Sequence, residues 1–273
     1  MSTRLLSVNG AELEVDEWGA GDPVVFIQTA LTADEARPVA TDSALQHGYR
    51  KIVYHRRGYA RSSPVRAGGS VVRDATDCAA LLRGLHFQQA HVLGFSYSGA
   101  VALQFAADSL ECVKTLTLVE PPPVHTLSAN EFRSANERLV ETRRSLGPEA
   151  ALDEFLIRVI GARWRTDVED HLPGAAAQMQ RDATTFFDVD LPALLAWQFG
   201  QEDAHRINCP VLYIGGTESG PWFAQVHELM LDWLTLADDV LIEGADHSLM
   251  LTHSQEVAAA FASFISRNPI VDP

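Results

Sequence analysis

"HVLGFSYSGAVALQFA", His91 to Ala106, decides the fold. Its first half, with Ala90 before it, is an apolar run of strand length, and its second half carries small and apolar residues at helical spacing. Between them Gly94-Phe95-Ser96-Tyr97-Ser98-Gly99 must turn a strand into a helix within a few residues. A turn that sharp leaves no room for side chains against the neighbouring strand and helix, so glycines suit its flanks. It lifts the Ser96 hydroxyl above the strand end and sets the Tyr97 backbone N–H at a helix N-terminus, beside the site of a developing oxyanion. Ser96 is therefore a candidate nucleophile and Tyr97 a candidate oxyanion donor. Gly and Ser meet by chance in many turns; the strand before and the helix after distinguish this one.

Further short apolar runs repeat the first half of the pattern: "PVVFI" (23–27), "KIVYH" (51–55), "VKTLTLVE" (113–120), "PVLYIG" (210–215) and "DVLIEG" (239–244). Amphipathic stretches lie between them, "DEARPVATDSALQ", "VVRDATDCAALLRGL", "WFAQVHELMLDWL" and "SQEVAAAFASFI". Strands alternating with helices predict an α/β fold with a doubly wound, mostly parallel sheet. At the start, "RLLSVNGAELEVDEW" alternates in both arms around Asn9-Gly10, which predicts a β-hairpin. From Pro121 to about Asn208 no strand-like run occurs, and three stretches there read as helices, which predicts a helical insertion.

At 273 residues the chain can bury a sizeable core as one large α/β unit, and 47% hydrophobic with 21% charged residues is ordinary for a globular protein. A formal charge of −15 argues against a nucleic-acid partner, which selects clustered Lys and Arg. No apolar run approaches the roughly 18 residues of a membrane span, and the N-terminus turns polar too early for a signal peptide, so the expected address is cytoplasmic, with no membrane partner. The 3 cysteines, Cys78, Cys112 and Cys209, have no metal-ligand spacing and read as buried apolar side chains in a reducing compartment. Neither a metal nor another cofactor is expected, and the expected partner is a small-molecule substrate. The sequence says nothing of oligomeric state.

A serine hydroxyl needs a base that titrates near neutrality, and histidine is the usual one. In "DDVLIEGADHSLMLTHSQEV", His247 falls just after the last strand and before the last helix. Of the other histidines, only His253 is near enough in sequence to rival it.

"LGFSYSGAVA" and "IEGADHSLML" resemble the nucleophile turn and histidine loop of the α/β-hydrolase superfamily, and the likeness covers nearly the whole chain outside the insertion. "YHRRGYARSSP" (54–64) resembles that superfamily's Asp-x-Arg-Gly-x-Gly-x-Ser segment, with His55 and Ala60 as departures. Gln28 and Thr29 in "FIQTAL" stand where relatives have His-Gly, and the resemblance implies the Ala30 backbone N–H as the second oxyanion donor. Gln28 either presents its amide to substrate or ties down the loop.

The triad's acid usually follows the seventh strand of that superfamily, in a Gly-x-x-Asp turn. Here the turn reads "GGTESGP", which puts Ser219 in the acid position and Glu218 one residue early. Some relatives carry the acid instead at the end of the sixth strand, where this chain has Glu120, immediately before Pro121-Pro122-Pro123. Glu120 is the expected acid and Glu218 its rival; a salt-bridged or helix-capping role is the structural reading of Glu120. The resemblance also implies a helical cap, residues 121–208, over a hydrolase core of residues 1–120 and 209–273. Trp164, Phe186, Phe187, Trp197, Trp222, Phe223 and Met250 are then candidates for an apolar pocket wall, although any single aromatic could as well pack cap against core.

The implied activity is hydrolysis of a carboxylic ester or lactone of a moderately apolar small molecule through an acyl-enzyme on Ser96. The competing reading is a non-hydrolytic member of the fold, a cofactor-free peroxidase or a small-molecule receptor. Thioesters and activated carbon–carbon bonds are further chemistries open to the same residues.

Overall fold

Eight strands form one sheet in the computed structural model, which describes residues 2–66 and 68–270. They are β1 (Ser2–Val8), β2 (Ala11–Gly19), β3 (Asp22–Ile27), β4 (Tyr49–Tyr54), β5 (Ala90–Phe95), β6 (Val113–Val119), β7 (Val211–Gly216) and β8 (Ala237–Ile242). Their order across the sheet is β1-β2-β4-β3-β5-β6-β7-β8. β1 and β2 are the expected hairpin, and Asn9 (φ 46°) and Gly10 (φ 74°) both take the left-handed conformation that a tight two-residue turn demands. β2 pairs antiparallel with β4, and every later pairing is parallel.

The parallel strands are buried on both faces, which is why they read as continuous apolar runs. In β3 the faces alternate: Val25 and Ile27 pack under the helices Val71–Gly84 and Tyr97–Asp108, whereas Val24 and Phe26 pack against the helix Ser254–Ser266. Phe26 meets Phe261 edge-on at 5.9 Å. Chain order runs outward from β3 to β4, then returns to the far side of β3 as β5. That reversal opens a crevice at the C-terminal ends of β3 and β5, the place where open α/β sheets receive ligands.

The helix expected across residues 34–46 is reduced to one turn, Arg37–Ala40, and a 3₁₀ turn, Ser43–Leu45. Asp42 is extended and its carboxylate accepts the Ala44 N–H at 2.8 Å, so it restarts the chain instead of continuing the helix.

Between β6 and β7 the chain is helical, with helices Ala129–Leu146, Pro148–Val159, Trp164–His171, Ala175–Thr185 and Leu191–Ala196. A π-helical turn, Phe186–Asp190, joins the last two. This insertion buries its own cluster, including Leu139, Leu152, Trp164, Met179 and Phe187, into which Leu31 and Leu251 project from the sheet side. All three cysteines are buried as free thiols. No helix among the described residues is long and apolar enough to cross a membrane.

Candidate active site

The turn after β5 is as tight as the sequence demands. A Cβ on Gly94 would lie 2.3 Å from the Ser98 carbonyl oxygen, and one on Gly99 would lie 2.8 Å from the Pro121 Cβ. Ser96 itself sits at φ 49°, a strained conformation for a non-glycine residue. Ser98 stabilises the turn: its hydroxyl accepts from the Phe95 N–H and donates to the Phe95 carbonyl, each at 2.9 Å.

Three side chains from distant parts of the chain converge. His247 Nε2 is 3.2 Å from Ser96 Oγ, and His247 Nδ1 is 2.6 Å from Glu120 Oε2. The second Glu120 oxygen accepts the Gly216 N–H at 2.8 Å. Glu120 is fully buried, at φ 42°, so its backbone turns back on itself as β6 ends and aims the carboxylate sideways under β7. In the turn after β7 a Cβ on Gly216 would strike the Ala245 carbonyl at 2.1 Å. Glu218, the rival acid, is exposed, with its N–H on the Ala245 carbonyl. Ser219 lies in the cavity wall with a buried hydroxyl that has no partner among the described residues. Asp246 accepts from the Ser248 N–H and hydroxyl and so is turned away from its neighbour His247. His253 pairs with Thr252 Oγ1 at 2.9 Å, outside the cavity wall.

The His247 ring lies flat on Phe223, with centroids 4.0 Å apart at 17°, and Phe95 packs beside it at 4.9 Å. With Nδ1 held by the carboxylate, Nε2 can take the Ser96 proton, and Glu120 would stabilise the resulting imidazolium. Ala30 and Tyr97 border the same cavity as Ser96, and neither backbone N–H donates to an acceptor among the described residues. Two free N–H groups beside a serine hydroxyl suit an oxyanion.

The cavity measures about 400 Å³, within the range for small-molecule sites. Leu156, Ile160, Met179, Phe186 and Leu191 of the insertion wall it, opposite Trp222 and Phe223. Phe186, Trp222 and Phe223 are thus at the cavity, as the sequence suggests. The other wall candidates are elsewhere. Trp164 is inside the insertion with its indole N–H on Asp153, and Phe187 packs in the same cluster. Trp197 donates to Gln104 at 2.8 Å and stacks on Phe199, bracing the insertion against the sheet. Met250 belongs to the core beneath the sheet. Gln28 ties down its loop, its Oε1 accepting the Arg56 N–H at 2.7 Å while its Nε2 is buried without a partner among the described residues.

Sequence reasoning missed a buried network around Arg56. Its guanidinium bonds Asp74 (2.8 Å) and both oxygens of Asp190 (3.0 and 2.8 Å), and its Nε donates to the Gln28 carbonyl. Burial alone would lower its pKa, but the Asp190 and Asp74 carboxylates hold it well above the ordinary value. Tyr59 accepts the Leu31 N–H and donates to Asp190, while the Tyr97 hydroxyl donates to Asp74. The network therefore grips the loop after β3, the helix after β5 and the insertion at once. Arg56 stands in the recognisable "YHRRGYARSSP" segment, but its partnership with Asp190 spans 134 positions and leaves no local mark. His55, where relatives have Asp, lies 3.2 Å from Asp34 and 3.3 Å from Glu14. Burial would raise the Asp34 pKa, yet hydrogen bonds from His55 and Arg37 hold it at about 2. Among the described residues no group of three or more His, Cys, Asp or Glu is placed to hold a metal ion.

Comparison with known proteins bears on the family and the fold. A family profile described as "Alpha/beta hydrolase family" matches residues 19–260. The chain is similar to the non-heme chloroperoxidase of Streptomyces lividans, 26% identical over 283 residues that cover 94% of this chain and 97% of that one. Among solved structures it resembles a thermophilic esterase from Thermogutta terrifontis, with a TM-score of 0.81 at 18% identity over 99% of this chain and 100% of that one. It also resembles the enol-lactonase from Burkholderia xenovorans LB400, with a TM-score of 0.80 at 19% identity over 96% and 100%. At these identities the structural likeness speaks for the fold.

Proposed function

The chain belongs to the alpha/beta hydrolase family, and from that premise we propose that it is a serine hydrolase cleaving a carboxylic ester or lactone of a moderately apolar small molecule. Ser96 attacks the carbonyl, His247 takes the proton and returns it to the leaving group, and Glu120 orients His247. The Ala30 and Tyr97 N–H groups hold the oxyanion, and water then releases the acyl group by the same route. The observation that carries this reading is the 3.2 Å approach of His247 Nε2 to Ser96 Oγ beside two unspent backbone donors. Residues 121–208 act as the cap that shapes the pocket over a core of residues 1–120 and 209–273. Carboxylester and lactone hydrolysis are favoured by the apolar cavity and accord with the esterase and enol-lactonase whose folds the chain shares.

The test is turnover of a series of p-nitrophenyl esters and lactones by the wild-type chain and Ser96→Ala. The reading requires a loss of roughly 10⁴-fold or more in kcat; near-normal turnover in the variant rejects it. The chloroperoxidase relative motivates a second reading, peroxide-dependent halogenation without a cofactor. A monochlorodimedone assay with peroxide and halide, run beside the ester series, ranks the two activities.

A further inference from the structure

Glu35 is a carboxyl group in the cavity wall that the proposed chemistry leaves unused. It lies in the loop after β3 and lines the same cavity as Ser96 and His247, together with Thr32. Only 7% of the residue is exposed. Its carboxyl interacts with the Thr32 side chain, and burial pushes its pKa up to about 8. It has no ion pair among the described residues.

Arg158 and His247, which line the cavity with it, and Asp34 and Arg37 on its own loop all have other partners. On the insertion, Arg158 bonds Glu154 at 2.8 Å and leans on the Ala135 carbonyl. On the loop after β8, His247 is held between Glu120 and Ser96. On its own loop, Asp34 and Arg37 pair with each other at 2.6 Å. A buried carboxyl without a cation persists in its neutral form, and a neutral carboxyl has one O–H to donate. The surrounding wall, Leu156, Met179 and Phe186 among it, is apolar. A ligand that fills the cavity without an acceptor for that proton would desolvate the acid with nothing in return.

We propose that Glu35 is a specificity-determining residue whose carboxylic acid donates a hydrogen bond to a second carbonyl or ether oxygen of the substrate, away from the carbonyl under attack. The proposal rests on the serine-hydrolase reading and narrows it: the substrate is an apolar ester or lactone with a further acceptor oxygen in its body.

The experiment compares p-nitrophenyl hexanoate with its 4-oxo and 5-oxo derivatives. In the wild-type protein at pH 7, kcat/KM for at least one oxo ester exceeds that for the plain ester by roughly tenfold, a single net hydrogen bond. Glu35→Gln retains an N–H donor and keeps that preference, whereas Glu35→Leu abolishes it. Above pH 8 the wild-type preference collapses as the acid ionises, and that of Glu35→Gln does not. Binding of the same esters to Ser96→Ala by calorimetry gives the ratio without turnover, and adding Glu35→Leu removes it. No preference in the wild type, a preference that survives Glu35→Leu, or stronger selection of an ester bearing a quaternary ammonium would each overturn the assignment. Absence of all ester turnover would instead count against the hydrolase reading, and the calorimetric ratio would still decide the role of Glu35.

Discussion

Glu120 Oε2 lies 2.6 Å from His247 Nδ1, although the two residues are 127 positions apart and the turn that usually supplies this carboxylate holds Ser219 instead. The carboxylate arrives from β6 and passes beneath the end of β7, where the Gly216 N–H anchors its other oxygen. The residue at this strand end is a glutamate, one methylene longer than the aspartate of the usual turn.

Glu120→Gln keeps an acceptor for the Gly216 N–H but no longer fixes the imidazole tautomer or stabilises its cation. We predict a fall in kcat of roughly 10³- to 10⁴-fold with little change in KM. Glu218→Gln, at an exposed site, should leave kcat within about twofold. Steady-state kinetics on variants with matched melting curves separate the two carboxylates.

Tyr59→Phe deletes both the acceptor of the Leu31 N–H and a donor to Asp190, loosening the loop that carries the Ala30 N–H. A role in positioning predicts a fall in kcat on the order of tenfold with KM nearly unchanged, beyond the 1–2 kcal/mol that the lost hydrogen bonds cost in stability. Asp190→Ala is the harsher change, because it strands the buried Arg56 with a single carboxylate. A loss of roughly 3–5 kcal/mol is expected in denaturant unfolding.

Glu35 also leaves a signature on stability. Burial raises its pKa in the folded protein to about 8 from the ordinary 4.5, so the folded state holds a proton that the unfolded chain releases between those values. Stability from this group is complete below about pH 4.5 and is lost as pH rises through about 8. Melting temperatures measured from pH 5 to 9 should fall more steeply for the wild type than for Glu35→Gln, with a difference on the order of a few kcal/mol at pH 9.

Ala60 occupies a glycine position of the superfamily segment and adopts φ 46°. Ala60→Gly relieves a left-handed strain of about 1–2 kcal/mol and adds chain entropy to the unfolded state. The net prediction is a stabilisation of about 0.5–1 kcal/mol, seen as a rise of a few degrees in Tm with kcat unaltered.

What was legible in the sequence follows from how local each signal is. Ser96 and His247 each sit at a strand end within a short pattern that constrains the backbone itself, and Glu120, which meets His247, draws notice in the sequence because Ser219 stands at the usual acid position. Pocket walls carry no such pattern. Trp164, Phe187, Trp197 and Met250 are apolar residues of the right kind, but which side of a helix meets the cavity depends on how the insertion seats on the sheet. Gln28 carries two readings in the sequence, and only its contact with the Arg56 N–H decides between them. The network of Arg56 with Asp74 and Asp190 was illegible for the same reason, since its members belong to three separate segments with no shared spacing.

The proposed reaction stands or falls on activation of Ser96 as a nucleophile by His247 and Glu120. The most direct measurement is labelling of the folded protein with a serine-directed fluorophosphonate, followed by mass spectrometry of the modified peptide. One adduct is expected, on Ser96, absent from Ser96→Ala and formed far more slowly in His247→Ala and Glu120→Gln. An unlabelled Ser96 in folded wild-type protein, or labelling at an undiminished rate in those two variants, would contradict it.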